Sequence, residues 1–148
     1  MYFEESMCIH TNKIISNKHN FYAHLKKEEN NSKEVVRKET LKEHTDLCIK
    51  YFNKIVNDRN LISIFLNFEN DFLEDISDEG KKVFRKLLIN VITFHDIGKI
   101  NPNFQNIKMK NPLGENTEVF SCIASEHSVL SSVLYIDYFI EDILELSK

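Results

Sequence analysis

Apolar side chains recur at three- and four-residue intervals along four stretches of the chain, and this period predicts helices. The first runs from about 40 to 58. Thr40 and Glu43 form a T-x-x-E capping box there, and Leu41, His44, Cys48, Phe52, Ile55 and Val56 fall on one side. A second, shorter helix over 61–73 (LISIFLNFENDFL) is expected to pack between the first and the third. The third runs from about 79 to 97, behind the N-cap candidates Ser77 and Asp78. Its expected buried face is Val83, Phe84, Leu87, Leu88, Val91 and Ile92, and it reaches His95 and ends near Gly98. The last, from about 126 to 146, is expected to bury Val129, Leu130, Val133, Leu134, Ile136 and Ile140. Between them, the polar stretch 26–38 (KKEENNSKEVVRK) reads as a solvated loop. Asn101, Pro102, Asn111, Pro112 and Gly114 mark a second loop with a short turn at 103–107. The pattern predicts an all-α fold.

Composition narrows this further. A length of 148 residues predicts one domain with a core of its own, and 3 Gly with 2 Pro are too few for the turns of a sandwich or barrel. Net charge is −4, which excludes a DNA binder of the basic-patch kind, although residues 99–110 (KINPNFQNIKMK) hold three basic and no acidic side chains. With Phe104, that segment reads either as a track for a DNA strand or as a solvated loop with one buried aromatic. The acidic clusters at 71–78 and 141–145 read as solvated helix ends. Cys8, Cys48 and Cys122 are far apart and form no CxxC pair, so they predict reduced thiols in a cytoplasmic protein. Glu4 and Glu5 stand where a signal peptide would carry Lys or Arg. The longest apolar run, LLINVITF, falls far short of the roughly 20 residues of a membrane span.

The histidines carry the candidate chemistry. His44, His95 and His127 each fall on the apolar stripe of a predicted helix. One inward histidine is more often a satisfied core residue than a ligand. Three at once, one of them in a His95–Asp96 pair, shift the balance, because a shared metal satisfies several imidazoles together. Neighbouring residues on a helix diverge by about 100°, so His95 and Asp96 converge on one ion only at a helix end, and Gly98 with Pro102 places them there. A carboxylate among imidazoles predicts a mono- or dinuclear site for Mn, Fe, Co, Ni or Zn rather than Ca. Lys99, three residues after Asp96, is expected to offer its ammonium to a substrate phosphate. His10 and His19 lie in polar, pattern-poor sequence and are expected to be exposed.

These residues resemble the HD superfamily of metal-dependent phosphohydrolases, and within it the HD nuclease domain of the type I CRISPR-associated helicase-nuclease. TFHDIGKINPNFQ (93–105) is similar to that family's H-D-[LI]-G-K-x-x-x-x-F-Q signature, whose Phe and Gln distinguish these nucleases from HD nucleotide phosphohydrolases. FYAHLKK (21–27) with LKEHTDLC (41–48) resembles its opening, and EHSVLSSVL (126–134) its later helix start. The likeness covers about residues 21–139. It implies an HD-type helical bundle in which His44, His95 and Asp96 hold one ion and Asp96 bridges to a second that His127 also binds. Mn, Ni, Co or Fe, with Mg or Zn as further candidates, would be the cofactor. Lys99 and Gln105 would meet substrate, and His24 would take a supporting role, although a plain loop histidine fits equally well.

The implied activity is hydrolysis of DNA phosphodiesters, preferentially single-stranded, in CRISPR antiviral defence. Its implied partners are helicase domains or a helicase subunit and the CRISPR surveillance complex. The family's adjacent pair of histidines and closing Asp have no counterpart after His127, and Asp137 is rotated about 80° from it. The expectation is therefore an N-terminal portion of such a domain, with weak activity alone and uncovered apolar surface on the third and last helices. Two other readings stay open: an HD phosphohydrolase acting on nucleotides, and a non-catalytic helical module or incomplete fragment.

Overall fold

The computed structural model describes residues 2–4, 7–16, 20–30, 33–113 and 126–145. His19, Gly114, Cys122 and Leu146 lie outside the described residues. In chain order the elements are α1 (Thr11–Ile14), β1 (Tyr22–Asn30), β2 (Lys33–Thr40), α2 (Leu41–Asp58), α3 (Leu61–Phe72), α4 (Asp78–Phe94) and α5 (His127–Glu145). A 3-10 turn, Ile97–Ile100, and a π-helical turn, Phe104–Lys108, follow α4. The chain is thus mostly helical. None of the described helices is long and apolar enough to cross a membrane.

The all-α expectation needs one correction. The segment read as a solvated loop forms most of an antiparallel hairpin, with Tyr22 opposite Thr40 and Asn30 opposite Lys33. Its residues are largely charged and show no apolar alternation, so the backbone ladder holds it and periodicity gives no warning. The register slips between Tyr22 and His24, a bulge at Ala23 that shifts the next side chain along the sheet.

Local chemistry sets the helix starts. Thr40 Oγ1 accepts from the Glu43 backbone N–H at 3.2 Å, and Glu43 Oε2 accepts from the Thr40 N–H at 2.9 Å, which completes the capping box of α2. The Ser77 hydroxyl accepts from Gly80 N–H and caps α4. Asn60, at φ 50°, makes the tight junction between α2 and α3 in the left-handed conformation that Asn tolerates.

The core gathers Ile9, Ala23, Leu41, Phe94, Ile97 and Phe139, so the N-terminal segment, hairpin base, α2, α4 and α5 share it. Two polar residues of α4 are buried there for a reason. Asn90 Nδ2 donates to the Met7 carbonyl and its Oδ1 accepts from Ile9 N–H, while Thr93 Oγ1 donates to the Ile9 carbonyl. They satisfy backbone groups of the N-terminal segment, which pairs with no strand among the described residues. α3 packs on α2 and reaches α4 through the stacked Phe68 and Phe84 rings and a bidentate Arg85–Glu69 pair, to which Tyr2 adds its hydroxyl at 2.6 Å.

The buried faces of α4 and α5 are rotated from those expected. Ile89, Asn90, Thr93 and Phe94 are buried on α4, and Ser131 and Phe139 on α5, whereas Val91, Val129, Val133, Ile136 and Ile140 are exposed. Ile55 of α2 is exposed as well. The cause on α5 is its close crossing over Gly98, which only a small residue such as Ser131 permits, and which turns Tyr135 and Phe139 onto Phe94.

Candidate metal centre

Asp96 is the pivot. α4 ends at Phe94, His95 remains helical, and Asp96 turns out at φ −115° and ψ 4° to start the 3-10 turn. The helix end thus lets two consecutive side chains converge. The Asp96 carboxylate is 9 % exposed, and three imidazoles from three elements reach it. His44 Nε2, from the first turns of α2, lies 3.2 Å from Oδ2, and His95 Nε2 lies 3.4 Å from the same oxygen. His127 Nε2, from the first residue of α5, lies 3.2 Å from Oδ1. The three histidines singled out in the sequence therefore meet around one carboxylate, divided two to one between its oxygens.

Each element is held in place by identifiable contacts. Gly98 N–H donates to Ser131 Oγ at 2.8 Å, and a Cβ on Gly98 would fall 2.0 Å from the His127 carbonyl oxygen. Glycine is what allows α5 to deliver His127. The Phe104 ring packs edge-on against His127, with ring centres 5.2 Å apart. His95 Nδ1 donates to the Ile92 carbonyl at 2.6 Å, which turns Nε2 toward Asp96. His44 Nδ1 faces Glu39 Oε2 at 3.4 Å, so a carboxylate orients that ring from behind.

The electrostatics follow from these contacts. Burial acts to raise the Asp96 carboxyl, but hydrogen bonds from His95 and Lys99 and the nearby Lys99 charge outweigh it and hold the group well below the usual carboxylate range. The hydrogen bond to Asp96 raises His95 against the opposing effect of burial. His24 is lowered by burial, then by the charges of Lys99 and His44. Burial raises the Cys48 thiol, with Asp96 and Glu39 adding to it.

Three residues considered for substrate contact, Lys99, Gln105 and Phe104, are turned into the protein. Lys99 is 4 % exposed, and its ammonium donates to Asp96 Oδ2 at 2.7 Å and to the Ala23 carbonyl at 3.2 Å. Its charge serves the carboxylate and the hairpin bulge. Gln105 is fully buried: Oε1 accepts from Tyr22 N–H and from Asn111 Nδ2, and Nε2 donates to the Tyr22 and Lys99 carbonyls. It clips the π-helical turn to β1. Phe104 is buried too, so the basic segment offers no aromatic for stacking, and of its lysines only Lys108 and Lys110 are exposed.

His24 lies at the edge of the cluster, its ring centre 4.6 Å from that of His44 and its Nε2 3.5 Å from Lys99 Nζ. His10 and Asp137 are exposed. Sequence reasoning missed two participants. Cys48 Sγ stands 3.6 Å from His44 Nε2, and Glu39 backs His44. The four-residue step from His44 to Cys48 on one helix face was the available signal for the thiol. Nothing announced Glu39, because its place depends on the unforeseen hairpin.

The donor set fits a divalent transition ion. Around an ion with bonds of about 2.0–2.2 Å to nitrogen and oxygen, adjacent ligand atoms stand about 3.3 Å apart, the separation of each Nε2 from Asp96 here. His44, Cys48 and His95, and likewise His24, His44 and Asp96, place donor atoms within 4.8 Å of one another. Comparison with protein-family models, curated proteins and solved structures finds no match for this chain. The likeness to HD nucleases rests on the sequence motifs alone.

Proposed function

We propose that this chain carries the site of an HD-type, metal-dependent phosphodiesterase that cuts single-stranded DNA. The observation that carries the reading is the approach of three Nε2 atoms from three helices to one buried, ionised carboxylate at 3.2–3.4 Å. His44, His95 and Asp96 Oδ2 would hold one ion, and His127 with Asp96 Oδ1 a second. When bound, such ions supply Lewis-acid polarisation of the phosphoryl group and acidify water. Mn, Ni, Co and Fe suit imidazole and carboxylate donors, with Mg or Zn as further candidates.

The chain's own groups do the rest. Lys99 keeps Asp96 ionised and oriented, and the Ile92 carbonyl and Glu39 keep the inward nitrogens of His95 and His44 available. His95 and His127 side chains are 37 % and 33 % exposed, so the cluster opens to solvent on one side, as an extended phosphodiester requires. A groove of about 390 Å³ between α4 and α5, lined by Val91, His95, Tyr135 and Ile136, runs beside it with room for a flanking nucleotide. Neutral imidazoles cancel little of an ion's charge, which reconciles phosphate binding with a net charge of −4. Helicase domains, a CRISPR surveillance complex and a cytoplasmic setting belong to this proposal as what the resemblance implies.

The test is hydrolysis of a labelled single-stranded DNA beside a panel of nucleotides, with manganese, nickel or cobalt added, for wild type and Asp96→Asn. DNA cleavage abolished in the variant supports the reading. Preferential turnover of nucleotides would instead assign an HD nucleotide phosphohydrolase, and absence of both activities with metal bound would contradict catalysis by this chain alone.

A further inference from the structure

We propose that Cys48 is a thiolate ligand of the ion between His44 and His95, which makes this centre selective for a thiophilic divalent ion such as zinc or cobalt. The inference rests on the metal-centre reading above and extends it to the identity of the ion. His44 and Cys48 stand four residues apart on α2, so both side chains leave the same face one turn from each other. Cys48 Sγ lies 3.6 Å from His44 Nε2, and the donor atoms of His44, Cys48 and His95 all lie within 4.8 Å of one another. For a tetrahedral ion with bonds of about 2.0–2.1 Å to nitrogen and 2.3 Å to sulfur, the sulfur–nitrogen edge is about 3.5–3.6 Å. The observed separation therefore matches adjacent ligands on one ion.

The surroundings agree. Asp96 Oδ2 borders both His44 Nε2 and His95 Nε2 and supplies the anionic edge of the same position. His44 and Cys48 are half-buried and His95 is exposed, so the ion has a path in from solvent. A thiol coordinated to the ion gives up its proton and binds as a thiolate. Thiolate donors favour zinc and cobalt over magnesium and manganese, which prefer oxygen. A centre built only of imidazole and carboxylate lacks that preference.

Cobalt titration of the full chain carrying Cys8→Ser and Cys122→Ser, which leaves Cys48 as the single thiol, is the experiment. The expected result is a near-ultraviolet thiolate-to-cobalt charge-transfer band together with visible ligand-field bands. Adding Cys48→Ser should abolish the first and keep the second, while zinc affinity falls by at least about tenfold and manganese affinity stays within about threefold. Protection of Cys48 from alkylation by bound cobalt, read by mass spectrometry on the folded protein, gives a measurement independent of that variant's folding. Ligand-field bands without a charge-transfer band, or alkylation at an unchanged rate, would overturn the Cys48 assignment and leave the histidine–aspartate centre standing. Absence of all cobalt bands would overturn both.

Discussion

At the scale of single residues, Asp96 and Lys99 form a pair whose loss is asymmetric. Both are buried, and the Lys99 ammonium donates to the Asp96 carboxylate at 2.7 Å. Removing the carboxylate leaves a buried cation uncompensated, which costs about 3–5 kcal/mol. Asp96→Ala should therefore lower the urea midpoint sharply, and Asp96→Ala/Lys99→Met should recover much of the loss. An additive double variant would mean that the two do not interact. Metal titration gives a second outcome: Asp96→Ala should weaken binding more than His44→Ala, His95→Ala or His127→Ala, because its two oxygens face different histidines. Equal losses would place Asp96 on one ion only.

At the scale of elements, the close crossing of α5 over the 3-10 turn links fold to site. Gly98→Ala sets a Cβ against the His127 carbonyl and the Ser131 amide, so α5 must shift. The expected result is destabilisation of about 1–3 kcal/mol or more together with weakened metal binding, measured by thermal melts and titration. A stable variant with unchanged metal affinity would contradict the account of how His127 is delivered. The Tyr2–Glu69–Arg85 network gives an acid-dependent outcome. The Arg85 hydrogen bonds outweigh burial and hold Glu69 below its ordinary value, so its contribution is full above about pH 4.5 and is lost as pH falls through the lowered value. Melting temperatures of wild type and Glu69→Gln should converge as the pH drops below that range.

Much at this scale was legible in the chain. The capping box of α2, the extents of α2 to α5 and the arrest of α4 at the His95–Asp96 pair are local features, and the structure has them within a few residues, whereas the buried faces of α4 and α5 are rotated from the expected ones. The hairpin was not legible, because a charged ladder held by backbone hydrogen bonds has no side-chain period. The burial of Lys99, Phe104 and Gln105 was not legible either. Their motif positions are compatible with a substrate role, and only the approach of β1, through the Ala23 and Tyr22 carbonyls, turns them inward.

At the scale of the whole molecule, the site sits where four separate stretches of chain meet, and each contributes at least one group that a neighbour orients. Along α4 and α5, Val91, Val133 and Ile136 are more than half exposed, an apolar surface that favours association of this chain with itself. Sedimentation velocity should show mass rising with protein concentration, and Val133→Lys/Ile136→Lys should reduce it. Constant monomer mass at all concentrations would refute this. The most direct test of the central claim is anomalous diffraction from crystals of the chain grown with manganese or cobalt. The account predicts a peak within about 2.0–2.3 Å of His44 Nε2, His95 Nε2 and an Asp96 oxygen. Ordered imidazoles still paired to Asp96, with no peak at the cluster, would contradict it.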